Sequence, residues 1–153
     1  MIATKQFFDS LADILADKKE LRQHTQWVIV PGPDDFLPFS SFPNPHLSKK
    51  LMVKLRKIVT NLELMSNPCR ISYFGKEVVI CRGDFSKLFI TNDMFSSKDF
   101  QASAMINTIL GQGCLFPFLK KSQLMLWNYA HALHLHTVPD VLVIADSYYH
   151  FEK

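Results

Sequence analysis

Three carboxylates stand where an apolar run hands over to a loop. Asp34 and Asp35 follow Val28-Ile29-Val30 across Pro31-Gly32-Pro33, and Asp146 directly follows Val141-Leu142-Val143-Ile144-Ala145. In open α/β sheets ligands bind outside the carboxyl ends of strands, so acidic residues just past a strand are candidates for metal ligands or a general acid/base pair. Asp after Pro also initiates turns with no chemistry attached, and that is its commoner use. Two acidic strand ends fall short of a metal centre, which ordinarily takes three or more protein ligands with His prominent.

Histidine is present, in the pattern His131-x-x-His134-x-His136. On a helix His131 and His134 share a face, which makes zinc conceivable, but the spacing matches no familiar zinc signature. Surface or helix-capping roles, favoured by the helix dipole, are the simpler reading. Lys49, Lys50, Lys54, Arg56 and Lys57 form a basic helix face that is a candidate for phosphate contact. With little aromatic interleaving for base stacking, it reads more simply as a solvated face. Gly111-Gln112-Gly113 is a helix stop, Arg82-Gly83-Asp84 a turn, and Trp127 and Tyr129 read as core and core-edge residues. No Walker, Gly-x-Ser-x-Gly or zinc-protease motif occurs.

The elements that must position these residues follow from periodicity. Phe7, Phe8, Leu11, Ile14 and Leu15 predict an amphipathic helix over 4–21. QWVIV (26–30) predicts a buried strand, followed by a loop with five prolines over 31–45. Asn44-Pro45 has the form of an N-cap and first helical residue for a helix carrying Leu47, Leu51, Leu55 and Ile58. Residues 69–73 and 77–81 predict a hairpin through Phe74-Gly75-Lys76. Helices are expected from Ser97 to Gly111 and Gly113, and over 122–134 with Trp127, Ala130 and Leu133 buried. VLVIA is an unbroken apolar run, the form of a strand covered on both faces. Too few elements flank it or QWVIV to supply those covers, so the chain is expected to be part of a larger α/β domain or a shortened one.

With 153 residues, 48% hydrophobic and 20% charged, the chain has one domain's worth of core, which excludes a disordered tail, a collagen and a coiled-coil rod. A net charge of +3 is too near neutral to mark a nucleic-acid binder by bulk electrostatics. Cys69, Cys81 and Cys114 are odd in number and lack a CxxC, against a disulfide scaffold or an all-cysteine zinc site, and point to a reducing compartment. No apolar run approaches the ~18 residues of a membrane span.

In order, VIVPGPDDF, SNPCRISYFGKEVVICRGD, ILGQGCLFPF and LMLWNYAHALHLHTVPDVLVIADSYYHF resemble the B-subunit family of the replicative DNA polymerases, its epsilon branch above all. The resemblance extends from about Phe8 to Phe151. It implies an α/β fold, part of a calcineurin-like metallophosphoesterase domain: 1–153 would be its C-terminal half, with the first half and the accompanying OB fold outside this chain.

The resemblance also implies a dead site. Where an active phosphoesterase carries Gly-Asn-His-Asp/Glu, Gly32 is followed by Pro33, Asp34 and Asp35. Proline offers no side-chain ligand. Arg82 stands where a ligand His would end the hairpin, and Arg cannot bind a metal. The last strand ends Ala145-Asp146-Ser147-Tyr148 in place of Gly-His-x-His. Pro33, Asp34, Asp35, Arg82, Asp146 and Tyr148 are thus the expected remnant, with no catalytic residue, metal or cofactor. The family's QGHL turn reads Gln112-Gly113-Cys114-Leu115 here. The implied role is a non-catalytic, nuclear scaffold in DNA replication. Its partners would be the C-terminal domain of the epsilon catalytic subunit and, through GINS, the replicative helicase, with at most weak non-specific DNA contact. The alternative is a metal-dependent phosphodiesterase or nuclease using Asp34, Asp35 and Asp146.

Overall fold

The computed structural model describes residues 2–32, 35, 41–91, 102–117 and 124–146. Helix α1 (Ile2–Ala16) turns Phe8, Ala12 and Leu15 to one side at i, i+4 and i+7, and all three are buried. The single helix expected over 4–21 is interrupted: Lys18 leaves helical geometry and the chain resumes as α2 (Lys19–Gln23). α2 buries none of its residues, so no apolar contact carries the polar stretch Asp17-Lys18-Lys19-Glu20 on in register with α1.

β1 (Trp27–Ile29) falls within the predicted strand. After it come β2 (Ser41–Phe42), a 3-10 turn (Lys49–Met52) running into α3 (Val53–Ile58), and β3 (Leu62–Leu64), which pairs in parallel with β1. Asn44 is not the helix cap that the sequence suggests. Its side chain is buried and bonded elsewhere, while the Ser48 hydroxyl accepts from Lys50 N–H. Leu47, Leu51, Met52, Leu55 and Val59 close on the apolar face of α1, with Trp27, Ile29, Leu62 and Leu64 packed alongside. That is the first core.

The predicted hairpin is present as β4 (Cys69–Tyr73) and β5 (Lys76–Arg82), antiparallel. Phe74 and Gly75 both take positive φ, 47° and 76°, the type I′ geometry that matches strand twist. β5 leads through Gly83-Asp84 into α4 (Phe85–Thr91), which the sequence reading missed, and α5 (Ala102–Gln112) follows. The expected start at Ser97 lies outside the described residues. Gly113, at φ +58°, is the stop for α5, whereas Gly111 sits in its last turn.

The helix expected over 122–134 is replaced, in its described part, by β6 (Leu124–Met125), parallel to β2, and a 3-10 segment (Trp127–Leu133). Leu133 is buried as expected, but Trp127 and Tyr129 are each 59% exposed, not core.

β7 (Val141–Ala145) pairs in parallel with β5, giving a sheet of order β4-β5-β7. Its burial alternates: Leu142 and Ile144 pack inward while Val141, Val143 and Ala145 face out. The two-sided cover expected for VLVIA is therefore one-sided. The inward face joins Val79, Cys81, Phe85, Phe89, Met105, Ile109, Leu115 and Leu133 in the second core. All three cysteines are free. Burial, with a smaller contribution from Cys114, pushes the Cys81 thiol far above its ordinary value and leaves it an inert core residue. The whole is a mixed α/β arrangement of small sheets and helices.

Candidate functional site

β1 and β5 end beside each other. Past β1 the chain runs through Val30, Pro31 and Gly32, all buried, and turns back on itself at Asp35. Asp35 Oδ2 accepts the Gly32 N–H at 2.6 Å, and Asp35 N–H donates to the Gly32 carbonyl at 3.4 Å. Asp35 thus closes a turn on Gly32 with its own carboxylate and N–H.

Across from this turn stands Arg82, the last residue of β5. Its Nη1 donates to the Val30 carbonyl at 2.6 Å and lies 3.6 Å from Asp35 Oδ2. The guanidinium lies against Gly32 so closely that a Cβ there would have to displace it. Arg82's own backbone is clamped by Asn67, which accepts from Arg82 N–H at 2.9 Å and donates to the Arg82 carbonyl at 2.6 Å. Asn67 is fully buried and reaches Asn44, which exchanges two backbone hydrogen bonds with it and donates its amide to the Ser41 carbonyl. A buried polar network of this kind fixes geometry because every unmade bond would leave a desolvated group.

Asp146 belongs to the neighbouring strand end. Ala145 lies opposite Arg82 in the β5–β7 register, and the Ala145 carbonyl accepts from Gly83 N–H at 3.1 Å. Asp146 Oδ2 accepts the Ser86 N–H at 2.7 Å, a carboxylate on the first turn of α4. The structure thus brings Asp35 and Arg82 together directly and gives Asp146 a separate hydrogen bond on α4. Pro33, Asp34 and Tyr148 lie outside the described residues.

This arrangement holds a permanently charged cation beside a carboxylate at the strand ends. Arg has no lone pair for a metal, and its charge opposes a divalent ion next to it. Among the described residues no group of three His, Cys, Asp or Glu is placed to hold a metal. His131, His134 and His136 are all exposed; the backbone carbonyl of His134 accepts from Arg70 at 2.6 Å. A groove of about 540 Å³ runs between α1 and β1, walled by Phe7, Phe8, Trp27 and Val28, with Asp35 and Arg82 at its lining. Of the candidate phosphate contacts, Lys54 is tied to Asp13 at 2.5 Å, while Lys49, Lys50, Arg56 and Lys57 are exposed.

Two residues of the site escaped the sequence reading. Asn67 figured only within the SNPCRISY stretch of the family resemblance, and nothing in the pattern marks its amide as buried. Gly32 looked like ordinary loop punctuation; only the position of Arg82 shows that a side chain there would meet the guanidinium.

The family model for the B subunits of DNA polymerases alpha and epsilon matches residues 1–153. The mouse protein named DNA polymerase epsilon subunit 2 is 35% identical over 148 residues, covering 95% of this chain and 28% of its own length. Its human counterpart is 34% identical over the same span, and the DNA polymerase epsilon B subunit of Arabidopsis thaliana is 29% identical over 148 residues. The chain spans little more than a quarter of the length of these relatives.

Proposed function

The chain belongs to the family of DNA polymerase alpha/epsilon B subunits, and from that premise we propose that it is a non-catalytic accessory part of a DNA polymerase epsilon assembly in chromosomal replication. Its fold is the C-terminal half of a calcineurin-like phosphoesterase domain whose site has been dismantled. The observation that carries this reading is the Arg82 guanidinium, held on the Val30 carbonyl and beside Asp35 where a phosphoesterase would need ligands for a metal. Asp146, engaged with α4, supports the same conclusion. The relatives' names support the polymerase epsilon assignment.

In this role the chain binds the C-terminal domain of the epsilon catalytic subunit, works in the nucleus, and connects to the replicative helicase through GINS. Contact with DNA is weak and non-specific. Co-expression with a polymerase epsilon catalytic C-terminal domain tests the central claim: a stable complex on gel filtration is expected. Manganese-stimulated hydrolysis of a model phosphodiester, lost in Asp35→Ala and Asp146→Ala, would return the chain to the enzymes and overturn the reading.

A further inference from the structure

Sequence spacing offers His131 and His134 as a pair on one helix face, but the structure pairs His134 with His136 instead. His134 ends the 3-10 segment with φ −80° and ψ 131°, an extended backbone. Alternate side chains of an extended chain share a face. Burial follows that rule: Leu133 and Leu135 enter the second core, while His134 and His136 stand exposed. Their ring centres lie 6.4 Å apart, with the planes inclined by 33°. The backbone beneath them is held from two sides. Leu135 N–H donates to the Gly113 carbonyl at 2.7 Å, and Leu115 N–H donates to the Leu133 carbonyl at 2.8 Å. Arg70 Nη2 donates to the His134 carbonyl at 2.6 Å. His131 has Tyr129 as its neighbour, ring centres 6.4 Å apart.

We propose that His134 and His136 together chelate one divalent cation of the class that imidazole suits, Zn2+ in the first place. Zinc–nitrogen bonds of about 2.0–2.1 Å put the centres of two imidazoles on one ion about 5–6 Å apart. The separation of 6.4 Å therefore closes with a small turn of two exposed rings. Once one imidazole holds the ion, the fixed backbone keeps the second at high local concentration, so the pair binds far better than either ring alone. Among the described residues no third His, Cys, Asp or Glu joins them. Water then completes the coordination shell, which makes the site open and exchangeable. Local charge does not oppose a cation: Arg70 is bridged to Glu77 at 3.1 Å and Lys76 to Asp140 at 2.7 Å. Cys114, opposite His134 in the ladder, packs against the second core and is not counted as a ligand. The site shares no residue with the corner of Asp35, Arg82 and Asp146, and it does not depend on the polymerase reading.

Calorimetric titration of Zn2+ into the untagged 153-residue chain tests it. One ion per chain is expected, held more tightly when Cu2+ replaces Zn2+ and not at all when Mg2+ does, the order for imidazole donors. His134→Gln and His136→Gln should each weaken Zn2+ binding by about tenfold or more, at least the loss that follows removal of a ligand's supporting partner. Both side chains are exposed, so the variants should keep the fold, which circular dichroism checks. His131→Gln and Cys114→Ser should leave the affinity unchanged. In the wild type, Zn2+ should shift the imidazole NMR signals that are missing from the two variants. Absence of both heat and shift overturns the proposal, as does binding that survives loss of both histidines or that falls with His131→Gln or Cys114→Ser. Binding kept in the histidine variants but lost in Asp35→Ala and Asp146→Ala would overturn the dismantled-site reading as well, which separates the failure of that reading from the failure of this one.

Discussion

A β-carbon added to Gly32 would lie 2.7 Å from Nη2 of Arg82 and 2.9 Å from its Cζ. Real Cβ atoms do not approach so closely, and the guanidinium cannot simply swing aside without giving up the Val30 carbonyl. Gly32→Ala is therefore expected to destabilise the chain by about 1–2 kcal/mol, the range for modest overpacking. In an Arg82→Ala background the same change should cost less than about 0.5 kcal/mol, because its steric partner is gone. Urea unfolding of the four proteins measures the coupling. Additive effects would mean that Arg82 does not hold the position described.

Asn67 is the second anchor of this corner. Asn67→Ala strips the partner from both the N–H and the carbonyl of Arg82 and from the amide system of Asn44. Each buried polar group left unsatisfied costs about 1–3 kcal/mol, so a total of about 3 kcal/mol is expected, larger than for most point changes. Asn61→Ala serves as the control: Asn61 is exposed and uses its backbone carbonyl to accept from Trp27. It should change stability by less than about 0.5 kcal/mol.

The difference between these two asparagines shows what was legible in the sequence. Periodicity found α1, β1, the β4–β5 hairpin and β7, because each repeats an apolar pattern at the spacing of its backbone. It missed α4, where Phe85 and Phe89 mark a buried face over only seven residues, and β3, which is three residues long. It overstated β7: an unbroken run of Val, Leu and Ile looks the same whether one face is covered or two. At the site, Arg82 and Asp35 were both named from the sequence, yet their mutual contact was not, since it is an ion pair between side chains 47 residues apart, placed by the hydrogen bond from Arg82 to the Val30 carbonyl. Asn67 was invisible for the same reason, as an amide's partners are set by tertiary structure and leave no periodic trace.

The Lys76–Asp140 pair gives a pH signature. Asp140 bonds Lys76 Nζ at 2.7 Å and accepts Glu77 N–H at 2.9 Å. The hydrogen bond from Lys76 and then that from Glu77 lower its carboxyl below the ordinary value, while the bond to Asp140 raises Lys76. A lowered acid contributes stability present above its unfolded value near 3.8 and lost as pH falls through the folded value. A raised lysine contributes stability present below about 10.5 and lost as pH climbs beyond it. Asp140→Asn should therefore flatten the acid limb of a Tm-against-pH curve below about pH 4 and the alkaline limb above about pH 10. The effect should be small and shrink in about 1 M salt, since both groups are exposed. An unchanged acid limb would show that the pair does not persist in solution.

The remaining charge on the molecule leads to the last prediction. Between Asp35 and Glu63 the sequence holds five Lys or Arg and no carboxylate, and α3 with its preceding 3-10 turn displays them. Asp13 on α1 engages Lys54, which leaves Lys49, Lys50, Arg56 and Lys57 as the surface open to a polyanion. No large aromatic side chain lies among them to stack on a base, so contact is expected to be with phosphates alone. Four such contacts imply a slope of log K against log salt of about −3 to −4 on duplex DNA, with weak binding at physiological salt and no sequence preference. Lys57→Ala should reduce the slope by about 1 and weaken all duplexes alike. Asp13→Asn frees Lys54 and should instead steepen it. Fluorescence anisotropy across a salt series reads these changes. Sequence-selective binding, or binding that survives Lys49→Ala, Lys50→Ala and Lys57→Ala combined, would place the nucleic-acid contact elsewhere on the chain.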